Sequence, residues 1–286
     1  MQPNHQQTED KRTELGRSDE PVEDELVEEF ENTVTEGADR LNRTWRALII
    51  TGLFGGIDVC LGIMAMLAVK HATGSDLLSG IAFGVGLLAL RLAHSELFTE
   101  DFLIPVNAVI AGHGTFLQLG RLWAVTLVAN LLGGWLFMWI IVTAFPRFHQ
   151  TLVDSAAHYL EGGLSPETAA LAVLAGTTMT LSTRMFQGTN NDVVSALISL
   201  IAGLLLVGLG MLHGALSSIV IFGAVQVGAV GYADWALWFL WVTPLNAVGG
   251  LLVITLPRLV RTMELLRKER SHQNGSELAT KAVGAE

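Results

Sequence analysis

The chain has 286 residues, of which 51% are hydrophobic and only 15% charged, and its formal net charge is −10. This composition excludes a soluble domain built around one core, and the acidity excludes the basic patch that nucleic-acid binding needs. The single cysteine, Cys60, excludes an internal disulfide and reads as a small apolar packing residue.

The acidity is local. Residues 1–39 carry thirteen Asp and Glu against Lys11, Arg12 and Arg17, so they form an acidic cytoplasmic tail ahead of a nearly neutral body. The first forty residues lack the short apolar core of a cleavable signal. Within the tail, PVEDELVEEFENTV sets Val22, Leu26, Val27, Phe30 and Val34 at helical spacing, with Pro21 near the start. Two readings stand for it: a disordered acidic tail with a nascent helix, or a short amphipathic helix that docks on the cytoplasmic face and gates it.

Six apolar segments follow, over 47–69, 78–94 with 102–111, 121–144, 167–183, 193–211 with 215–229, and 235–256. A membrane span takes about 20 apolar residues. The second and fifth segments are each a long run, a polar break and a short piece, which reads as a broken helix. Residues 40–260 are thus expected to be a transmembrane domain of six crossings, and 261–286 a cytoplasmic C-terminal tail with a flexible end. With the N-terminus inside, the cytoplasmic side receives Arg40, Arg43, Arg46, Arg121, Arg184, Arg258, Arg261, Arg267, Lys268 and Arg270, and the outside only Lys70 and Arg147. This bias puts both termini in the cytoplasm.

The first break reads His94-Ser95-Glu96-Leu97-Phe98-Thr99-Glu100-Asp101. Charge at that depth is costly and marks function. Thr99, Glu100 or Asp101 is expected to cap a half-helix starting near Phe102, with Pro105 in its first turn. Arg91, one turn before Ser95, is expected to pair with Glu96 or Glu100, or else to supply a positive field to the pore. His94 reads as a packing or hydrogen-bonding residue, and Asp58 as a buried acid in the first span.

The halves resemble each other. Residues 92–106 align with 211–225, setting His94 over His213, and Asn130-x-x-Gly133-Gly134 matches Asn246-x-x-Gly249-Gly250. Three crossings per half invert the second half, so the fold class is an all-α membrane protein with an inverted 3+3 repeat and broken second and fifth helices. The two breaks, 95–101 and 212–218, would face one another at the membrane midplane, where irregular backbone survives only if it lines a cavity or is buried. Asn130 and Asn246 read as braces for the broken helices, and the paired glycines as close helix contacts.

With ITGLFGGI (49–57), SELFTED (95–101), the His213 break and the two Asn-x-x-Gly-Gly elements in this order, the chain resembles the formate/nitrite transporter family over about residues 40–260. The long tail and the Ser-Pro-Glu start of the fourth span (165–167) are most similar to its YfdC-like branch. The resemblance implies an aquaporin-like fold assembled as a homopentamer in the bacterial inner membrane, with one pore per protomer. It implies that Leu97, Phe98 and Thr99 form the first-break loop, that His213 is the central pore histidine with Leu212 beside it, and that Glu96, Arg91, Asn130 and Asn246 support the pore. The implied partners are small monovalent anions such as formate or nitrite, the lipid bilayer and other copies of the chain.

A bare anion loses its hydration in an apolar constriction at a cost of many kcal/mol. Passage with a proton removes most of that cost, and a histidine can hold one near neutral pH. Three positions depart from the family pattern. Leu160 stands where formate channels have a lysine, Gly176 where they have an asparagine, and Leu212 where an acid is common. The alternative function is therefore a neutral-solute channel or a membrane scaffold that has lost anion selectivity. No HExxH, GxSxG or Walker loop is present, so no enzyme, cofactor or metal site is expected.

Overall fold

A computed structural model describes residues 21–263, with side chains from residue 27 onward. The start of the acidic tail, the side chains of Val22 and Leu26, and the basic residues Arg267, Lys268 and Arg270 lie outside the described residues. Among the described residues the secondary structure is wholly helical.

Helix α1 (Pro21–Leu41) opens the described chain, and the spacing of its apolar residues explains where it lies. Val27, Phe30 and Val34 share one face and are buried against Ala111, Ile110 and Leu259. Gly37 lets the helix approach still closer, because a Cβ there would meet the carbonyl oxygen of Ile104 and the side chain of Ala108. The tail segment is thus a docked amphipathic helix. Arg121 Nη2 donates to the carbonyls of Leu41 (2.7 Å) and Arg43 (3.0 Å), groups left open where α1 ends. Burial of a Phe ring contributes about 3 kcal/mol or more. Phe30→Ala is therefore expected to detach α1, seen as faster amide hydrogen exchange over residues 27–41 with the rest of the chain still protected.

Helix α2 (Trp45–Thr73) starts at Thr44, whose hydroxyl accepts from the Ala47 N–H, and stops at Gly74 in the left-handed conformation. The broken second unit follows as α3 (Asp76–Leu92), a single 3₁₀ turn at Phe98–Glu100, and α4 (Ile104–Ala111). Helix α5 (Phe116–Ala144) begins in a Thr115/Gln118 capping box. A short 3₁₀ turn leads into α6 (His149–Leu160), and α7 (Pro166–Gln187) opens on a Ser165/Thr168 box. The second broken unit is α8 (Asp192–Gly208) and α9 (Gly214–Gln226). The described chain ends in α10 (Tyr232–Val248), a π-helical segment (Gly249–Thr255) and α11 (Leu256–Arg261).

Among the described residues three helices are long and apolar enough to cross a membrane: Trp45–Thr73, Phe116–Ala144 and the continuous Tyr232–Arg261. Helix α7 has the length, but Thr177, Thr178, Thr180 and Thr183 make it less apolar. The broken units come as shorter pieces, as the polar interruptions in the sequence require. The ends of α4 and α11 meet under α1, on what is called here the α1 face; α6 lies across the opposite side.

Both halves use one construction. Asn130 Nδ2 donates to the carbonyls of Gly52 and Glu96, both at 2.8 Å, and its Oδ1 accepts from the Phe98 N–H at 2.9 Å. Asn246 Nδ2 donates to the carbonyls of Ala172 (2.8 Å) and Leu212 (2.9 Å), and its Oδ1 accepts from the Gly214 N–H at 2.7 Å. Beside each amide, the helices touch through Gly56 and Gly176; a Cβ on either would collide with the carbonyl of Asn130 or Asn246 respectively.

These bonds correct the register of the repeat. The position bracketed by Asn130 is Leu97, and the one bracketed by Asn246 is His213, so Leu97 and His213 are equivalent, 116 residues apart. The same offset relates the 17-residue helices α3 and α8 and the first residues of α5 and α10. His94 is not the counterpart of His213. It is exposed, at a positive φ of 54°, which does not fit the expected packing role. The second connection runs over 209–213 rather than 212–218. Helix α4 starts at Ile104 rather than Phe102, and its cap residue, Leu103, makes no side-chain cap bond. Pro105 does fall in the first turn. Thr99 and Asp101 do not cap α4, because each has a different partner.

Candidate functional site

The two connections meet in the interior. His213, 1% exposed, lies at the start of α9, and Thr99, fully buried, lies on the 3₁₀ turn of the first connection. The His213 Nε2 atom is 2.9 Å from Thr99 Oγ1. The other ring nitrogen, Nδ1, accepts the Leu216 N–H at 3.1 Å, so His213 is the side-chain N-cap of α9. That backbone donor fixes the tautomer. With Nδ1 as acceptor, the neutral ring carries its hydrogen on Nε2 and donates it to Thr99. The His213 N–H itself donates to Ser217 Oγ at 3.2 Å.

The flanking apolar residues divide into two groups. Leu97 and Leu212 are buried in the same apolar cluster, together with Phe83, Leu87, Leu206 and Met211. Phe98 instead packs edge-on against Phe102 (5.0 Å) and Trp123 (6.3 Å), while Trp123 Nε1 donates to the Asp101 carbonyl at 3.1 Å. Gly176 faces α10 and mirrors Gly56, so the packing leaves no room for a side chain there.

The charges of the first connection are met from the end of α1 and the link that follows it. Arg40 Nη1 donates to Glu96 Oε1 (3.3 Å) and Asp101 Oδ1 (3.2 Å), and Arg40 Nη2 to Glu36 Oε1 (2.6 Å). Arg43 pairs with Glu96 Oε2. Glu96 and Asp101 are 1% and 0% exposed, so their charges depend on these guanidiniums. This corrects one of the two readings of Arg91, the ion pair. Its Nη2 donates to the Phe186 carbonyl at 3.4 Å and its guanidinium lies over the Phe186 ring at 5.4 Å, and it forms no ion pair with Glu96. Arg40 and Arg43 were not among the predicted site residues. They sit more than fifty positions before Glu96 in the chain, and only the docking of α1 brings the groups together.

The α1 helix is fastened a second time by Arg258, whose Nη1 donates to Glu29 Oε1 at 2.7 Å. Outside the spans, burial alone would raise the Glu36 carboxyl. Arg40 and a hydrogen bond from Gln187 outweigh it and hold the group below its ordinary value of 4.5. Among the described residues no cluster of His, Cys, Asp and Glu has the arrangement of a metal site.

Comparison with known proteins fits this architecture. The formate/nitrite transporter family model matches residues 27–260. The inner membrane protein YfdC of Escherichia coli (strain K12) is 24% identical over 303 residues, covering 98% of this chain and 93% of that protein. Among solved structures, an FNT family ion channel superposes with a TM-score of 0.71 at 17% identity, over 81% of this chain and 97% of that one. A pentameric formate channel with formate bound gives a TM-score of 0.61 at 17% identity, over 77% and 98%. The family match takes in most of the docked helix, both connections and both asparagine braces: the chain belongs to the formate/nitrite transporter family of membrane proteins.

Proposed function

We propose that the protein is an inner-membrane channel for small monovalent weak-acid anions of the formate or nitrite kind, that each anion crosses with a proton, and that five copies assemble with one pore each. In this reading the fold is an inverted repeat of six crossings, and the α1 face, which carries the basic residues, is cytoplasmic with both termini. The observation that carries the reading is the buried contact between His213 and Thr99, which ties the two connections together.

The hydrogen-bond directions describe what the pair does. The Leu216 N–H donates to His213 Nδ1, and His213 Nε2–H donates to Thr99 Oγ1. The Thr99 hydroxyl hydrogen is then free to point at an anion. Each donor in such a series polarises the next, so a neutral imidazole stabilises the anion without becoming charged. Protonating Nδ1 would expel the Leu216 N–H and uncap α9, so His213 serves as a donor and not as the store of the travelling proton. Leu97 and Leu212 exclude water beside the pair, which makes passage as the neutral acid the less costly route.

The test is flux in liposomes loaded with a pH dye, with external formate, nitrite, acetate and lactate jumped in turn. Protein-dependent acidification of the lumen is expected for at least one of them. His213→Phe is expected to abolish it. Thr99→Val, which keeps the shape and loses the hydroxyl, is expected to lower it about 10- to 100-fold, the rate equivalent of one hydrogen bond to an anion. Unchanged flux in His213→Phe would remove the histidine from the mechanism. No flux in the wild-type protein for any of the anions would favour a neutral-solute channel or a scaffold.

A further inference from the structure

The reading above leaves the travelling proton without a holder, since His213 has both nitrogens engaged. On the α1 side of the first connection lies a cavity of about 80 Å³, between α1, the end of α3 and the end of α7. It has room for water. Its polar walls come from Glu36 and Arg40 of α1, from Arg43 in the link after it, from Arg91, His94 and Glu96 of α3 and the connection, and from the uncharged Thr183 and Gln187 of α7. Glu100 lines it too.

Glu100 differs from the other acids of this cluster. Glu36 and Asp101 each accept from Arg40, and Glu96 accepts from both Arg40 and Arg43, so each of these three carboxyls has a guanidinium donor, and Asp101 does not line the cavity. Glu100 is only 8% exposed, and among the described residues no group hydrogen-bonds its carboxyl. Arg40 and Arg91 act on it only through their charge. It is also the residue next to Thr99 on the same 3₁₀ turn. A buried carboxyl that no donor fixes, facing a water-sized space and one residue from the anion-binding hydroxyl, is the group of this cluster free to gain and lose a proton.

We propose that Glu100 is the proton-exchanging group of the pore, and that the cavity around it is the pore's inner vestibule. The step balances simply. The O–H bond of the Glu100 carboxyl breaks as its proton passes, directly or through cavity water, to the oxygen of the anion. The products are the neutral weak acid and the Glu100 carboxylate, which Arg40 and Arg91 steady until a proton arrives from the α1 face. Transport in the opposite direction runs the same transfer in reverse. This inference rests on the weak-acid reading of the function and adds to it the identity of the proton carrier.

The test compares Glu100→Gln, which keeps the shape but cannot exchange a proton, with Glu100→Asp, which keeps the acid. Formate flux and lumen acidification are measured between pH 5 and 8, roughly the range in which a positioned acid or base acts. Glu100→Gln is expected to lower formate flux about a hundredfold and to flatten its pH dependence, while Glu100→Asp keeps a pH-dependent flux. Infrared difference spectra on adding formate to the wild-type protein are expected to show a change in a carboxyl C=O band that Glu100→Gln lacks. Wild-type rate and pH profile in Glu100→Gln, or no carboxyl band change in a conducting wild type, would overturn the role of Glu100 and leave weak-acid passage standing. A wild-type protein that passes no weak acid overturns both.

Discussion

Replacing Arg40 by alanine is expected to cost about 3–5 kcal/mol of stability, enough to remove much of the margin of a protein of this kind. The reason is the company that the side chain keeps. One guanidinium serves three carboxylates, two of which, Glu96 and Asp101, are almost completely shut off from solvent. Truncation leaves Asp101 without its arginine and Glu96 with Arg43 alone. Thermal unfolding in detergent, followed by circular dichroism, measures the loss. Arg40→Lys is expected to recover only part of it, because an ammonium cannot span three acceptors in the fork geometry of a guanidinium. The decisive comparison is the triple variant Arg40→Ala, Glu96→Gln, Asp101→Asn. If stranded charge is the cause, removing the charge restores a substantial share of the melting temperature; if it does not, the cost lies in packing.

The same arginine sets a pH dependence for the docking of α1. The Glu36 carboxyl in the folded protein lies below its ordinary value of 4.5. A depressed acid contributes stability above its unfolded value and loses it as pH falls through the folded one. The docked state is therefore weakened only in strong acid, below about 4.5. Between neutral pH and 5 the hydrogen-exchange protection of residues 27–41 is expected to stay constant.

The second large effect belongs to Asn246. Its amide makes three buried hydrogen bonds, and the two that flank His213 hold the carbonyl before it and the N–H after it. Asn246→Ala strands these groups at about 1–3 kcal/mol each, for a loss of at least about 3 kcal/mol. Asn246→Asp keeps the acceptor for Gly214 but turns a carboxylate oxygen towards the Ala172 and Leu212 carbonyls. It is expected to be at least as destabilising as alanine. Both variants also release the backbone that aims the imidazole at Thr99, so formate flux should fall more steeply than stability at temperatures where the fold survives. Equal melting temperatures for Asn246→Ala and the wild type would show that the brace is dispensable. Asn130→Ala offers the control, since it frees Leu97 in the equivalent position rather than the histidine.

Much of this architecture is legible in the sequence because membrane spans are long, apolar and regular. The polar interruptions read at 95–101 and 212–218 point to the two broken helices, the second of them a few residues too late, and the two Asn-x-x-Gly-Gly elements locate the braces. Local chemistry identifies His213 and Thr99 once the resemblance is seen. The sequence cannot show which arginine meets which acid. Arg91 is one turn from the break and so reads as the natural partner of Glu96 or Glu100, yet its guanidinium lies on Phe186, and Arg40 and Arg43 arrive from the end of α1 and the link after it, ahead of the first span. The start of α4 is hidden from the sequence for the same reason. Thr99 and Asp101 have good capping chemistry, but long-range partners hold them elsewhere. The repeat register was drawn to a pair of histidines, whereas equivalence in three dimensions follows the backbone bonds to asparagine.

That register has a consequence of its own. Two halves built alike place one seat on each connection, and the chain fills one with an isobutyl group, Leu97, and the other with an imidazole, His213. A scaffold of near-twins has no preferred direction. In the proposed pore, direction would come from the occupants: a greasy lip on one connection, a hydrogen-bonding lip on the other, and a cage of arginines and acids behind the first with no counterpart at Leu212 and Gly214 behind the second. Exchanging the occupants, Leu97→His with His213→Leu, would turn that chemistry over and would also remove the side-chain cap of α9. Whatever polarity transport has is a property of a handful of side chains laid on an even-handed frame.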